Sequence, residues 1–206
     1  MKKSEWFWDW RARQYDKQAQ EDEAYTRAVE RFAKYLKADD TVLDYACGTG
    51  VVTYKIAADV KEVHAIDTSK GMIELAKERA REREVANAHF ARKTIFDEGL
   101  GRESYDVILA FNILHLLEDA RKAVQRAAEL LKPGGLMVSV TPCLGEAGVV
   151  LRTLLPLISK VGILSYLRTL KISEVKDLMR DGRLEILESE VPEGTIPSCF
   201  VVARKR

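Results

Sequence analysis

Val42-Leu43-Asp44-Tyr45-Ala46-Cys47-Gly48-Thr49-Gly50, followed by Val63-His64-Ala65-Ile66-Asp67, is the stretch that decides the architecture. A short apolar strand, Thr41 to Ala46, runs into the turn Cys47-Gly48-Thr49-Gly50, a helix follows through Ala58, and a second short strand ends on an acid. A glycine loop at the end of a strand lets a ligand approach the backbone closely, and an acid at the tip of the next strand can accept both hydroxyls of a ribose. Together they describe a nucleoside site. Gly48 and Gly50 alone do not establish it, because a Gly-x-Gly turn between strand and helix also arises on structural grounds. Two neighbours narrow the ligand. Thr53 stands where the dinucleotide fingerprint places its third glycine, which disfavours a pyrophosphate. Asp44 puts a negative charge beside the loop, which repels phosphate and suits a cationic amino acid moiety. A sulfonium nucleoside carrying an ammonium group fits both.

The same alternation continues outward. Strands are expected at Glu62 to Asp67, Ala88 to Lys93, Tyr105 to Phe111 and Leu136 to Thr141, with helices at Ser69 to Arg83 and Asp119 to Leu131. Ser69 can cap its helix, and Lys132-Pro133-Gly134-Gly135 turns the chain into the next strand. Strands and helices of these lengths imply a mainly parallel sheet covered on both faces, an α/β class. Upstream, Trp6, Phe7, Trp10 and Tyr15, then Tyr25, Val29, Phe32 and Leu36, recur at helical spacing and predict two N-terminal helices. Downstream, Ala147 to Leu170 reads as an apolar helical insert, Ser173 to Arg180 as a helix, and Leu184 to Val191 and Cys199 to Arg204 as a closing antiparallel pair. We expect one domain over 1–206: cover helices (1–38), a cofactor core (41–142), a helical cap (144–172) and a C-terminal helix with hairpin (173–206).

The chain has 206 residues, with 33 Lys and Arg against 32 Asp and Glu, so no net charge gathers nucleic acid or an anionic membrane. Cys47, Cys143 and Cys199 are far apart and odd in number, which suggests neither a disulfide framework nor a zinc knuckle and points to a reduced, cytoplasmic setting. Charges break the N-terminus, so no signal-peptide core is expected. The insert carries Arg152, Lys160 and Arg168, whereas a spanning helix needs about 20 mostly apolar residues. His64 and His89 show no metal-ligand spacing, and no metal is expected.

The first stretch resembles the opening motif of class I (Rossmann-like) S-adenosylmethionine (AdoMet)-dependent methyltransferases, an acid followed by x-Gly/Ala-x-Gly-x-Gly. Asp44, Ala46, Gly48 and Gly50 match it position by position. The resemblance extends to Asp67, to Ser104-Tyr105-Asp106-Val107-Ile108 and to Leu130-Leu131-Lys132-Pro133-Gly134-Gly135. The opening Phe7-Trp8-Asp9-Trp10-Arg11-Ala12, with Tyr15-Asp16, looks like the cover helix of the small-molecule branch that holds the ubiquinone and menaquinone methyltransferases. It implies a seven-stranded sheet in the order 3-2-1-4-5-7-6 with the last strand antiparallel, and AdoMet as methyl donor, leaving as S-adenosylhomocysteine. It assigns cofactor contacts to Asp44, Ala46, Cys47, Gly48, Gly50, Asp67, Thr68, Met72, Thr94, Ile95 and Asn112. One position departs from the family: Thr94 stands where many relatives carry an acid for the adenine amino group, which leaves Thr94, a backbone carbonyl or Asp97 for that contact. Ile95 is read either as packing on the adenine or as plain core.

His115, just beyond the fourth strand, and Tyr15 are the candidate bases, with Tyr25 a competitor; a packing role is the alternative for each. Cys143 follows the fifth strand rather than the fourth, unlike the nucleophile of cytosine methylases, and the Asn/Asp-Pro-Pro-Tyr/Phe signature of nucleic-acid amino methylases is absent. A small, apolar or aromatic acceptor is expected, covered by Ala147 to Leu170, with the chain a monomer or homodimer. Two other classes remain: a non-catalytic AdoMet-binding subunit or regulator, and a nicotinamide-dependent oxidoreductase on the same strand, loop and helix.

Overall fold

Seven strands build one sheet in the order β3-β2-β1-β4-β5-β7-β6. The structure is a computed structural model that describes residues 7–15, 23–148, 167–192 and 197–206. The strands are β1 (Thr41–Tyr45), β2 (Glu62–Asp67), β3 (Ala88–Arg92), β4 (Tyr105–Phe111), β5 (Leu131–Pro142), β6 (Leu184–Glu190) and β7 (Ser198–Lys205). The pairs among β1 to β5 are parallel, while β7 runs antiparallel to both β5 and β6, as the resemblance implies.

Successive residues along each strand point to opposite faces, and both faces are apolar because both are covered. Leu43, Ile108, Met137 and Val201 pack under α5 (Ala120–Leu130) and α6 (Ile172–Asp181), through Val124, Ala127, Val175 and Met179. Val42, Val107, Val138 and Val202 pack on the other face under α2 (Glu23–Ala33) and α3 (Val51–Ile56), through Phe32, Val52 and Ile56. On that face Ala65 and Phe90 meet Ile73 and Ala76 of α4 (Lys70–Glu82). At the far edge, Glu188 of β6 accepts hydrogen bonds from Arg31 (2.6 Å) and Tyr35 (2.8 Å), which ties α2 down. Lys34 and Arg31 hold the Glu188 carboxyl well below its ordinary range, at about 2.

Helix starts follow the expected side-chain chemistry. Ser69 Oγ accepts the Met72 N–H at 3.1 Å, and Asp119 accepts the Lys122 N–H at 3.0 Å. Two expectations are corrected. The helix after the glycine loop stops at Ile56 and ends in a 3-10 turn, Ala57–Asp59. More substantially, β5 begins at Leu131 rather than Leu136: Tyr105 lies opposite Leu131 and Val107 opposite Leu136, so Lys132-Pro133-Gly134-Gly135 bulges out of a continuous strand. The reason is Asp106, whose carboxylate accepts Lys132 Nζ at 2.8 and 2.7 Å and the Thr41 N–H at 2.9 Å, locking bulge and β1 to the start of β4.

Most of the expected cap, 149–166, lies outside the described residues. Its flanks are placed: the Gly145 N–H donates to Leu170 O (2.9 Å) and the Arg168 N–H to His115 O (2.8 Å), which sets both ends against the carboxyl ends of β5 and β4. Among the described residues no helix is long and apolar enough to cross a membrane.

Candidate active site at the carboxyl ends of β1, β2 and β4

The loop after β1 is built from left-handed residues at alternate positions: Ala46 (φ 60°), Gly48 (φ 55°) and Gly50 (φ 85°). Ala46 is the unusual one, since a non-glycine residue in this region costs on the order of 1 kcal/mol or more and tends to persist where a site requires it. Gly50 is fixed by packing, because a Cβ there would lie 2.7 Å from the Tyr54 ring and 2.9 Å from Phe90. A Cβ on Gly48 would instead meet Tyr15, at 3.4 Å.

Two carboxylates flank this loop. Asp67 accepts the Gly48 N–H (3.0 Å) on one oxygen and the Ser69 N–H (2.9 Å) on the other, so the tip of β2 is joined to the loop of β1. Burial raises the Asp67 carboxyl above its usual range against these two hydrogen bonds, with Asp9 adding a like charge. Asp44 is 2% exposed, and the Thr53 hydroxyl donates to it at 2.5 Å. Burial pushes its carboxyl up to about 6, opposed by the Thr53 hydroxyl and reinforced by Asp67. Among the described residues the leading influences on both carboxyls are burial, hydrogen-bond donors and neighbouring carboxylates. Thr53 therefore does more than interrupt a dinucleotide fingerprint, since it orients the buried acid.

The residues 7–15 form a helix, α1, that lies over this cleft. Asp9 Oδ1 accepts both the Ser69 hydroxyl (2.6 Å) and the Gly71 N–H (2.9 Å), which places a carboxylate at the positive end of α4. A Cβ on Gly71 would come within 3.0 Å of Asp9 O, so the two backbones touch. Trp8, Ala12 and Tyr15 pack on Met72 and Leu75, and the Trp8 and Tyr15 rings meet edge to face at 5.7 Å. Sequence reasoning missed Asp9 as a site residue, because only tertiary docking brings it to α4.

The remaining expected residues follow the ends of β1, β2, β3 and β4 in turn. Cys47, half-buried, donates its N–H to Ile66 O (3.0 Å), and burial beside Asp44 and Asp67 drives its thiol well up. Thr68 is exposed and its carbonyl accepts Arg92 Nε (2.8 Å), while Met72 is buried beneath α1. Beyond β3, Thr94 is engaged with Asp97, which accepts both its hydroxyl (2.9 Å) and its N–H (2.7 Å); Ile95 is fully buried in the main core, where the core reading of this residue applies. Phe96, next in the chain, is 54% exposed and offers an apolar face that the sequence reading passed over. Asn112 is half-buried and left-handed (φ 53°), with its N–H donated to Val140 O (2.8 Å). His115 is buried in a 3-10 turn, Leu114–Leu116, and burial lowers its imidazole to about 4. Among the described residues its Nδ1 and the Thr141 hydroxyl of β5, both buried, have no hydrogen-bond partner. The side chain of Tyr25 lies outside the described residues.

His64 and His89 stand apart from this cleft: His64 Nδ1 lies 3.1 Å from the Tyr105 hydroxyl, and Glu62 is near both rings. Among the described residues no cluster of metal-ligating side chains forms. A groove of about 630 Å³ between α4 and the edge strand β3, lined by Lys77, Ala80, Arg81, His89 and Phe90, includes none of the loop residues.

Comparison with known proteins agrees with this geometry. Residues 36–181 match the methyltransferase domain family, and the chain belongs to it, within the class I methyltransferases. It is 32% identical over 104 residues to the uncharacterized methyltransferase YcgJ of Bacillus subtilis, covering 50% of this chain and 41% of YcgJ. The YcgJ crystal structure superimposes with a TM-score of 0.73 at 19% identity, covering 88% of this chain and 99% of that one. The 27-O-demethylrifamycin SV methyltransferase of Amycolatopsis mediterranei is 31% identical over 138 residues (63% of this chain, 47% of the relative). A ubiquinone biosynthesis O-methyltransferase of Bradyrhizobium is 32% identical over 121 residues (58% and 47%). The chain thus spans less than half the length of these curated relatives.

Proposed function

We propose that this methyltransferase takes its methyl group from AdoMet and delivers it to a small, apolar or aromatic acceptor. The observation that carries the donor assignment is the pair of desolvated carboxylates, Asp44 and Asp67, at a left-handed loop, both raised chiefly by burial. A dry anionic cleft disfavours a pyrophosphate and attracts a positively charged ligand. That argues against the nicotinamide alternative. AdoMet carries an electrophilic methyl on a sulfonium, whose departure leaves a neutral thioether.

The chain's own residues bind and orient. Asp67 accepts the ribose hydroxyls, its two oxygens being held in place by the Gly48 and Ser69 N–H groups. Asp44, oriented by Thr53, and the backbone of Ala46 to Gly50 take the amino acid end, with Asn112, just beyond β4, as a further contact. Phe96 and the Thr94 to Asp97 turn stand at the adenine end. Tyr15 roofs the loop and excludes water. Alignment of reacting groups supplies on the order of 7–11 kcal/mol of barrier reduction, so no dedicated base is required for a thiolate, phenolate or amine acceptor. His115, neutral at pH 7, serves as a hydrogen-bond partner of the acceptor rather than as a strong base. Relatives named for rifamycin SV and for ubiquinone biosynthesis support an acceptor of this apolar kind.

Titration calorimetry tests the donor assignment. S-Adenosylhomocysteine binds the wild type and not NADH, and Asp67→Ala weakens binding by about 10- to 150-fold, the equivalent of about 1.5–3 kcal/mol for a lost charged acceptor. No heat from AdoMet or S-adenosylhomocysteine at millimolar concentration refutes it. Acceptor-dependent release of S-adenosylhomocysteine across a panel of small phenols and quinols tests the acceptor class.

A further inference from the structure

The sheet has two edges, and the chain treats them differently. At β6, Glu188 is gripped by Arg31 and Tyr35, and the register against β7 shifts between Ile186 and Glu188, so that edge is covered and bent. β3 has neither device: it pairs with β2 alone, in unbroken register from Ala88 to Arg92. The Val63 N–H donates to Asn87 O (2.9 Å) and the Lys93 N–H to Asp67 O (3.0 Å), so in this parallel ladder the odd-numbered residues of β3 face β2, and the N–H and C=O groups of Ala88 and Phe90 point outward. Among the described residues these groups find no partner. Nor does a helix cover the strand on the side away from α4, because the connection from β3 to β4 contains only turns, which leaves the His89 side chain 58% exposed.

The groove of about 630 Å³ runs along this open edge. Side chains from both faces of β3 line it, His89 and Ala91 from one and Ala88 and Phe90 from the other, which places it beside the strand rather than beneath the sheet. α4 connects β2 to β3 and runs back alongside them, and it supplies the wall, with Ala80 low in the groove and Lys77 and Arg81 at the rim. The two cations stand four residues apart on one helix face, a like-charged spacing that costs helix stability. Among the described residues neither is in an ion pair, whereas on the same helix Lys70 is paired with Glu74 and Arg79 with Glu82. Against them the groove sets Glu84.

We propose that this edge is a docking surface for an extended segment of a partner protein that bears acidic side chains at alternate positions and joins the sheet as a further strand outside β3. Its backbone pairs with the outward N–H and C=O groups of Ala88 and Phe90, the mode in which a peptide extends an exposed sheet edge. The charge spacing fits. Lys77 and Arg81 lie about 6 Å apart along the helix, and every second side chain of a strand points the same way at intervals of about 6.6 Å. Carboxylates two residues apart in the segment therefore meet the two cations, while the residue between them lies on the His89 and Ala91 side of the strand. A second copy of this chain fits less well, because pairing two β3 edges in one continuous sheet turns Lys77 and Arg81 of each copy towards those of the other.

The test uses the full chain and two fluorescein-labelled peptides of about eight residues, one alternating valine with glutamate and the other valine with lysine. Binding is read by fluorescence anisotropy and by amide hydrogen exchange followed by NMR. Expected are saturable binding of the glutamate peptide that weakens as salt rises, no binding of the lysine peptide, and new protection of the Ala88 and Phe90 amides, which β2 leaves unbonded. Lys77→Glu combined with Arg81→Glu, both exposed on α4, should leave the melting temperature unchanged, weaken the glutamate peptide by about tenfold or more and admit the lysine peptide. Equal binding of the two peptides, binding of neither, protection at β6 instead of β3, or a preference for glutamate that survives the charge reversal overturns the proposal. So does sedimentation equilibrium that finds a dimer with Ala88 and Phe90 protected in the absence of peptide, since the edge then belongs to a second copy. All of these readings except the charge reversal are taken on the wild type, so they stand whether or not the variant folds.

Discussion

Asp44→Asn separates what the buried acid does for stability from what it does for binding. In the folded chain the carboxyl is pushed up to about 6 from an ordinary value of 3.8, chiefly by burial. An acid whose folded value is raised holds its proton more tightly when folded, so its contribution is fully present below pH 3.8 and is lost as pH rises through 6. At 1.36 kcal/mol per unit the loss amounts to about 3 kcal/mol. Asparagine keeps an oxygen for the Thr53 hydroxyl and does not ionise, so other titrating groups largely cancel when the two proteins are compared. Urea unfolding from pH 4 to pH 7.5 should show the wild type losing about 3 kcal/mol relative to Asp44→Asn across that interval. Whatever constant offset the amide introduces leaves the slope unchanged. Binding runs the other way, since a cation at Asp44 favours the ionised form: S-adenosylhomocysteine affinity in the wild type falls by up to tenfold per unit below about pH 6, with proton release detectable as buffer-dependent heat. A wild-type-minus-variant difference that stays flat from pH 4 to pH 7.5 would refute the desolvation of Asp44, and with it the electrostatic case for a cationic ligand.

Three further outcomes follow from named contacts. Gly50→Ala drives a methyl group to 2.7 Å from Tyr54 and 2.9 Å from Phe90 in a left-handed residue, and should cost about 2 kcal/mol or more in denaturant unfolding, with Gly48→Ala milder in stability. Asp9→Ala removes the acceptor from Ser69 and Gly71 and about 1 kcal/mol of α1 docking, so hydrogen exchange should rise in 7–15 while β1 and β4 stay protected. His115 has a lowered imidazole, so its contribution to stability is present above pH 6.5 and is lost as pH falls through about 4; His115→Gln should remove about 3 kcal/mol of acid sensitivity between those values, read by the same unfolding series.

The parts of this architecture that depend on local pattern were readable in the chain. Apolar runs such as Tyr105 to Phe111, the Ser69 cap and the glycine turn each express their structure within a few residues, and the alternation orders the sheet. What escaped depended on partners distant in sequence. Lys132 to Gly135 reads as a turn until Asp106 captures Lys132 and the strand closes beneath the bulge. Thr53 reads as a missing glycine until its hydroxyl is seen on Asp44, and Asp9 is one residue of the cover-helix stretch with no role of its own until it reaches the end of α4. At Ile95 the two readings differ only in which way the chain turns after β3, which the Thr94 and Asp97 turn decides.

The place of the site follows from the strand order. β1 and β4 are neighbours in the sheet, yet the chain leaves β1 for α3 on one face and continues beyond β4 towards α5 on the other. The loops at their carboxyl ends must diverge, and a crevice opens between them. Two left-handed non-glycine residues flank it, Ala46 after β1 and Asn112 after β4. Both breach local backbone preference, and Asp44, ionised in a dry setting, breaches the preference of a core for neutral groups. Such breaches are tolerated where the surrounding structure over-determines them and where a ligand relieves them. A cation that settles here neutralises the charge that destabilises the free protein, so part of the apparent affinity is desolvation already incurred in folding. The residues that strain this cleft most are therefore the ones that should discriminate a ligand bearing an ammonium group from analogues that lack it.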